Sequence, residues 1–171
     1  MRTLYQILLT CAVLAGMIAC ENETKVCDQA LRADFRVRFQ RDSVRRINDT
    51  TFLHNVRDTI MPKVSVYAIN NGVNMDSLYR RQPQKEIFLP FSPVADSCIF
   101  ALRVDSTLTP DTLRFKYSRT KKFISAGCGF GTTFTLDTVI ATRHTIDSVV
   151  INSKVVNSSN DTHLTLFFFN L

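Results

Sequence analysis

The feature that most constrains this chain of 171 residues is a period of two in its apolar positions, which runs from residue 35 almost to the C-terminus. Phe35, Val37 and Phe39 alternate with Arg36, Arg38 and Gln40. Val64, Val66 and Ala68 alternate with Ser65, Tyr67 and Ile69, and Leu113, Phe115 and Tyr117 with Arg114 and Lys116. Successive side chains of a strand point to opposite faces, so this pattern gives each strand one covered side, whereas a helix needs apolar residues three and four apart. No segment carries a helical stripe longer than about ten residues. Lys25 to Ala33 has room for a turn or two of helix at most.

Punctuation supports the same reading. Asn71-Gly72 supplies a hairpin turn, with Leu78-Tyr79 opening the return strand. Glu86 to Phe91 is bounded by Pro83, Pro90 and Pro93, which suits an edge strand or one that ends early. Further strands are expected at Ser97 to Val104, around Phe134 and Leu136, and at Ile146 to Ile151. Leu164, Leu166 and Phe168, with Phe167 and Phe169 between and after them, put apolar residues on both faces and predict a central strand. The fold expected over residues 27–171 is all-β: a single, mostly antiparallel β-sandwich, with a small β-barrel as the alternative.

The first residues follow a different logic. Arg2 precedes an apolar run from Ile7 to Ala19, broken only by Thr10, and Cys20 follows directly. The run is too short for a membrane span, which needs roughly 20 apolar residues. Charge, apolar segment, small residue and cysteine together resemble the bacterial lipoprotein signal, with Met17 where that pattern usually has Leu. The resemblance implies that residues 1–19 are removed, that Cys20 is acylated, that residues 20–26 form a tether, and that the protein is anchored in the outer membrane by lipid. An ordinary secretion signal is the alternative. Without residues 1–19 the chain carries 20 basic and 15 acidic residues. Its arginines alternate with apolar residues instead of forming a block, which describes a solvated sheet face, and no nucleic-acid partner is expected. Arg36, Arg38, Arg41, Arg45 and Arg46 are also read as a potential patch for anionic sugars or lipid headgroups.

Three cysteines remain beyond the signal and Cys20. Cys98 falls on the apolar face of its predicted strand, so it reads as a small buried thiol. Cys27 follows the tether and Cys128 lies in a glycine-rich turn, which makes these two the expected disulfide pair. A bridge of that span would contribute about 4 to 5 kcal/mol in the chain-entropy model.

A dipeptide bias runs through the whole body. Ten of the twelve Asp residues are followed by Ser or Thr, although Ser and Thr make up only 30 of 171 residues and chance would give about two. The structural reading is that Asp closes a turn on nearby amides and the next residue starts a strand. The chemical reading is modification. Asp-Ser/Thr-apolar looks like the O-glycosylation sequon of Bacteroidota envelope proteins, which would mark Ser43, Thr59, Ser77, Thr112, Thr138 and Ser148.

Catalytic chemistry finds little support. Gly127-Cys128-Gly129-Phe130-Gly131 lacks the Lys-Ser/Thr and the helix of a phosphate loop and reads as a bulge or a close backbone approach. His54, His144 and His163 show no metal-ligand spacing, and His144 with Asp147 has no nucleophile elbow nearby. No enzyme activity, metal or cofactor is expected. Tyr67, Ile69 and Phe167 are read as an exposed apolar interface or as sheet packing.

The Cys20 signal, Cys27-Asp28, the Asp-Thr-Leu-Arg-Phe-Lys-Tyr strand from Asp111, the Ser125 to Gly129 turn and the Ile-Asp-Ser-Val-Val-Ile strand from Ile146 together resemble a family of uncharacterised Bacteroidota envelope lipoproteins. The resemblance implies an envelope location and a recurring Cys27–Cys128 pair, and carries no activity with it. The function expected is accessory or structural, through contact with another envelope protein. Binding of a glycan or small ligand is the alternative.

Overall fold

The computed structural model describes residues 33–70, 72–125, 127–157 and 161–169, and within them eleven strands make two sheets. One sheet has the order β2 (Phe52–Asp58), β1 (Asp34–Arg46), β11 (Leu164–Phe168), β9 (Ile146–Ile151), with β5 (Glu86–Pro90) also paired to β1. The other has the order β10 (Val155–Val156), β8 (Gly129–Ala141), β7 (Asp111–Ser125), β6 (Ser97–Arg103), β3 (Met61–Asn70), β4 (Val73–Gln84). Every pairing is antiparallel except that of β1 with β11. Neither sheet closes on itself, so the architecture is the β-sandwich and not the barrel.

The alternation read from the sequence becomes the core. Phe35, Val37 and Phe39 of β1, Leu89 of β5, and Leu164, Leu166 and Phe168 of β11 face Val64, Val66, Leu102, Leu113, Phe115 and Leu136 of the other sheet, all buried. The outward residues Arg36, Arg38, Arg114 and Lys116 stay in solvent or partly so. β11 is central, as its apolar faces require, lying between β1 and β9. β5 is held by β1 alone, in keeping with its flanking prolines.

Two hairpins depend on glycine. Gly72 sits at φ +79° between β3 and β4, and Gly129 at φ +68° where β8 begins. A Cβ at Gly131 would come within 3.2 Å of the Ile124 side chain across the β7–β8 hairpin. The glycine-rich segment therefore serves a tight turn and a close approach between strands. The signal, Cys20, the tether and Cys27 lie outside the described residues, as does most of the Lys25 to Ala33 segment. Among the described residues no helix is long and apolar enough to cross a membrane.

Candidate functional site

Three places in the sandwich do something other than fill a core. The first is a cleft at the end where β6 starts late. β7 and β8 run on past Ser97, and the segment after β5 crosses the notch. Phe91 of that segment stacks on Phe35 at 4.8 Å and on Tyr117 at 4.3 Å, both at 12° between ring planes. The Tyr117 hydroxyl accepts a hydrogen bond from the Ser92 N–H at 3.0 Å, and Arg119 pins the segment through Asp96 at 2.7 Å and the Pro93 carbonyl at 2.8 Å. What remains open is a cavity of about 770 Å³, with buried Phe91, Phe100 and Phe134 in its lining, exposed Phe130, and a few polar groups such as Asn70 and Thr132.

Cys98 lines this cleft and is a free thiol. Burial pushes its pKa up to about 12, against a smaller opposing effect of its hydrogen bond with Tyr117. It is therefore protonated at neutral pH and no nucleophile, as its place on an apolar face implied. Burial likewise pushes the Tyr117 hydroxyl up to about 12.

The second place is Asp111, a fully buried carboxylate at the start of β7. It accepts hydrogen bonds from the N–H groups of His144, Thr145 and Ile146 at 2.7, 2.8 and 3.1 Å and from the hydroxyls of Thr142 and Thr145. Burial raises its pKa, but these donors together outweigh burial and hold it below the usual carboxylate value. His144 Nδ1 lies 3.3 Å away. Every oxygen lone pair faces a donor that also fixes the turn into β9, so the arrangement is a clamp and offers no free base.

The third place is the distal part of β1 with β2. Beyond Arg41, β1 has lost its β11 neighbour and pairs only with β2, so residues 42–58 form a two-stranded ribbon closed by a turn in which Asn48 Oδ1 accepts the Thr51 N–H at 2.8 Å. Val44, Ile47, Phe52, Leu53, Val56 and Ile60 are 47–67% exposed along it. His54 meets Asp42 across the ribbon at 2.7 Å.

The predicted sites are distributed over the surface, not gathered. Ser43 and Thr138 are exposed, while Thr59, Ser77, Thr112 and Ser148 are half-buried on separate strands or at their ends. The Ser43 and Ser77 hydroxyls bond backbone carbonyls of Asn55 and Tyr79. Cys128 is disulfide-bonded, and the expected partner Cys27 lies outside the described residues.

Several expectations are corrected. Asp105 does close a turn, accepting the Thr107 N–H at 3.2 Å. Asp42, Asp137 and Asp147, however, sit inside strands, and Asp111 binds amides more than 30 residues away. The dipeptide thus places Asp on one strand face and the hydroxyl on the other as often as it ends a turn. The arginines form no single patch: Arg36 and Arg38 share the outer face, Arg41 is on the opposite one, Arg36 is held bidentate by Glu86 at 2.9 and 3.0 Å, and Arg46 pairs with Asp49. Tyr67, Ile69 and Phe167 are half-buried, while six of the fifteen large apolar residues exposed among the described residues lie along the ribbon.

His163 is buried, accepts the Arg36 N–H on Nδ1 at 3.0 Å and stacks on Phe35. Burial lowers its pKa. Among the described residues no group of three His, Cys, Asp or Glu side chains could hold a metal. The Asp111 clamp escaped sequence reasoning because its donors are remote in the chain. The ribbon escaped because Phe52 to Asp58 does not alternate.

Two open, mostly antiparallel sheets packed across an aromatic core define the class as an all-β sandwich. Within that class the chain belongs to a family of unknown function, DUF6452, which it matches over residues 63–168, from β3 through β11. No match to a curated protein or to a solved structure is found.

Proposed function

We propose that this chain is a lipid-anchored cell-envelope protein of the Bacteroidota type, acylated at Cys20 and held in the outer membrane, which acts through contact with other proteins and not by catalysis. The observation that carries the contact reading is the ribbon: six large apolar side chains about half-exposed on an element that packs on nothing else in the described chain. Val44, Phe52 and Val56 share one face of the ribbon, and exposed apolar side chains grouped in this way mark interaction surfaces. The Cys27–Cys128 bridge belongs to the same proposal, as do sugars on the Asp-Ser/Thr sites. Cys128 is already engaged in a disulfide, which suits an oxidising compartment.

Purification from native membranes in mild detergent, with mass spectrometry of co-eluting proteins, tests the reading. A stoichiometric envelope partner is expected with the native chain and is lost with the Phe52→Ser, Leu53→Ser double variant. Equal recovery with both chains refutes a ribbon contact with a different protein and leaves only a contact between copies of this chain. Cys20→Ala should move the protein out of the membrane fraction, and intact mass should show polypeptide plus lipid with a hexose ladder.

A second reading rests on the cleft, whose volume of about 770 Å³ and apolar lining with few polar groups fit a small ligand. Native mass spectrometry of the purified chain should then show a bound mass that Phe100→Trp expels.

A further inference from the structure

The contact reading of the ribbon can be carried to a partner. Two hydrogen bonds fix which way β2 turns its backbone: Ile47 N–H donates to the Thr51 carbonyl at 3.0 Å, and Thr59 N–H to the Phe39 carbonyl at 3.1 Å. Together with the pairing of Gln40 with Asp58 through Arg46 with Phe52, they place the odd-numbered residues of β2 in the hydrogen-bonded positions toward β1. The N–H and C=O groups of Phe52, His54, Val56 and Asp58 therefore point to the open side of the strand.

That edge is lightly protected, its charges, Arg57 and Asp58, lying at one end. It carries no Pro, no Lys and no bulge over seven residues, whereas β4, an edge of the other sheet, has four register shifts and Pro83, and β10 is two residues long. A two-stranded ribbon on its own is also marginal in water, and a wider sheet is not.

We propose that β2 pairs antiparallel with β2 of a second copy of this chain about a two-fold axis at Val56, making a four-stranded ribbon. The side chains match themselves in that register. His54 falls opposite Asp58 of the second copy, Asn55 opposite Arg57, Val56 opposite Val56, and Phe52 opposite Ile60 just past the strand end. An axis at Arg57 sets two guanidinium groups against each other, and an axis at Asn55 sets Phe52 against a carboxylate. The self-association rests on the reading that the ribbon is a contact surface and specifies its occupant.

Sedimentation equilibrium of the full chain in density-matched detergent tests it, with Val56→Pro and Ile47→Lys as variants. The ladder turns the Val56 N–H away from β1, and no strand among the described residues pairs on that edge, so proline there removes an intermolecular donor and leaves the ribbon's own bonds in place. The native chain and Ile47→Lys are expected to dimerise, and Val56→Pro to weaken the dimer about 100-fold or more. Because a folding defect in Val56→Pro would mimic this result, Val56→Cys supplies an independent readout: mild oxidation should give a covalent dimer, since the two residues face each other across the axis. A monomeric native chain with no crosslink at residue 56 overturns the self-pairing. If ribbon variants still lose an envelope partner in that case, the contact reading stands with a different occupant. If they lose nothing, both fall together.

Discussion

The two halves of β1 make the most instructive comparison in the molecule. The strand pairs with β5 on one edge over Asp34 to Arg38 and with β11 on the other over Val37 to Arg41, and Phe35, Val37 and Phe39 are fully buried. From Asp42 to Arg46 it has β2 alone, and Val44 is 53% exposed. The strand is continuous and its backbone conformation does not change. What differs is the layer above it: the first half lies under the opposite sheet, and the second runs out beyond it. Burial here is a property of coverage by a second layer, so one strand serves the core at one end and a partner at the other.

The comparison predicts where substitutions are costly. Phe91→Ala removes the ring stacked between Phe35 and Tyr117 and should destabilise the chain by about 3 to 5 kcal/mol in urea unfolding, the range for a buried aromatic truncated to Ala. A loss under about 1 kcal/mol would mean that the covered end relaxes into the cavity as readily as the ribbon tolerates change. Asp111→Asn comes next, at about 2 to 3 kcal/mol. It takes the charge from a carboxylate that five donors converge on and turns an amide NH2 toward at least two of them. The native clamp also has an acid signature. Its carboxyl is depressed, so its full stabilisation is present above the unfolded value of 3.8 and is lost as pH falls through the lower folded value.

How much of this was legible follows from the range of each interaction. Strands β1, β3, β6, β7 and β11 were readable because their alternation is local and the opposite sheet rewards it. Hairpins at Gly72 and Gly129 were readable because glycine writes a positive φ into the sequence. Asp111 was visible only as one of ten similar dipeptides, since the loop it binds arrives some 30 residues later. The stack of Phe91 on Phe35 and Tyr117 joins three segments whose order in space no periodicity encodes. β2 had no signal at all: Phe52, His54, Val56 and Asp58 share one face, with Leu53, Asn55 and Arg57 on the other, and neither face is apolar throughout. A strand with both faces in solvent has no reason to alternate.

His163 sharpens the comparison from the covered side with a smaller effect. It is buried and its pKa is lowered by that burial. The unfolded chain therefore binds a proton that the folded chain refuses. Stability should be level above pH 6.5, fall as pH drops below it, and level off again below the folded pKa. Urea midpoints measured across that window should show the slope in the native chain and a flatter one in His163→Gln, which retains an acceptor for the Arg36 N–H. A slope unchanged by the substitution would assign the proton uptake elsewhere.

The smallest effect on stability is expected on the ribbon, and it makes the sharpest test of the comparison. Phe39 and Ser43 lie on the same strand, and the ladder turns both their amides to the same edge: Phe39 N–H donates to the Lys85 carbonyl at 2.9 Å, and Ser43 sits opposite Asn55. If coverage by the second sheet sets local stability, the Phe39 amide should exchange hydrogen only through global unfolding, with strong urea dependence. In the monomeric chain, Ser43 should exchange through local fraying that urea barely accelerates. Phe52→Ser should then change the urea midpoint by no more than about 0.5 kcal/mol equivalent. It should speed exchange at Ser43 and leave Phe39 untouched. Equal opening free energies at the two amides would show β1 to be one cooperative unit from end to end, and the division drawn between its halves would be wrong.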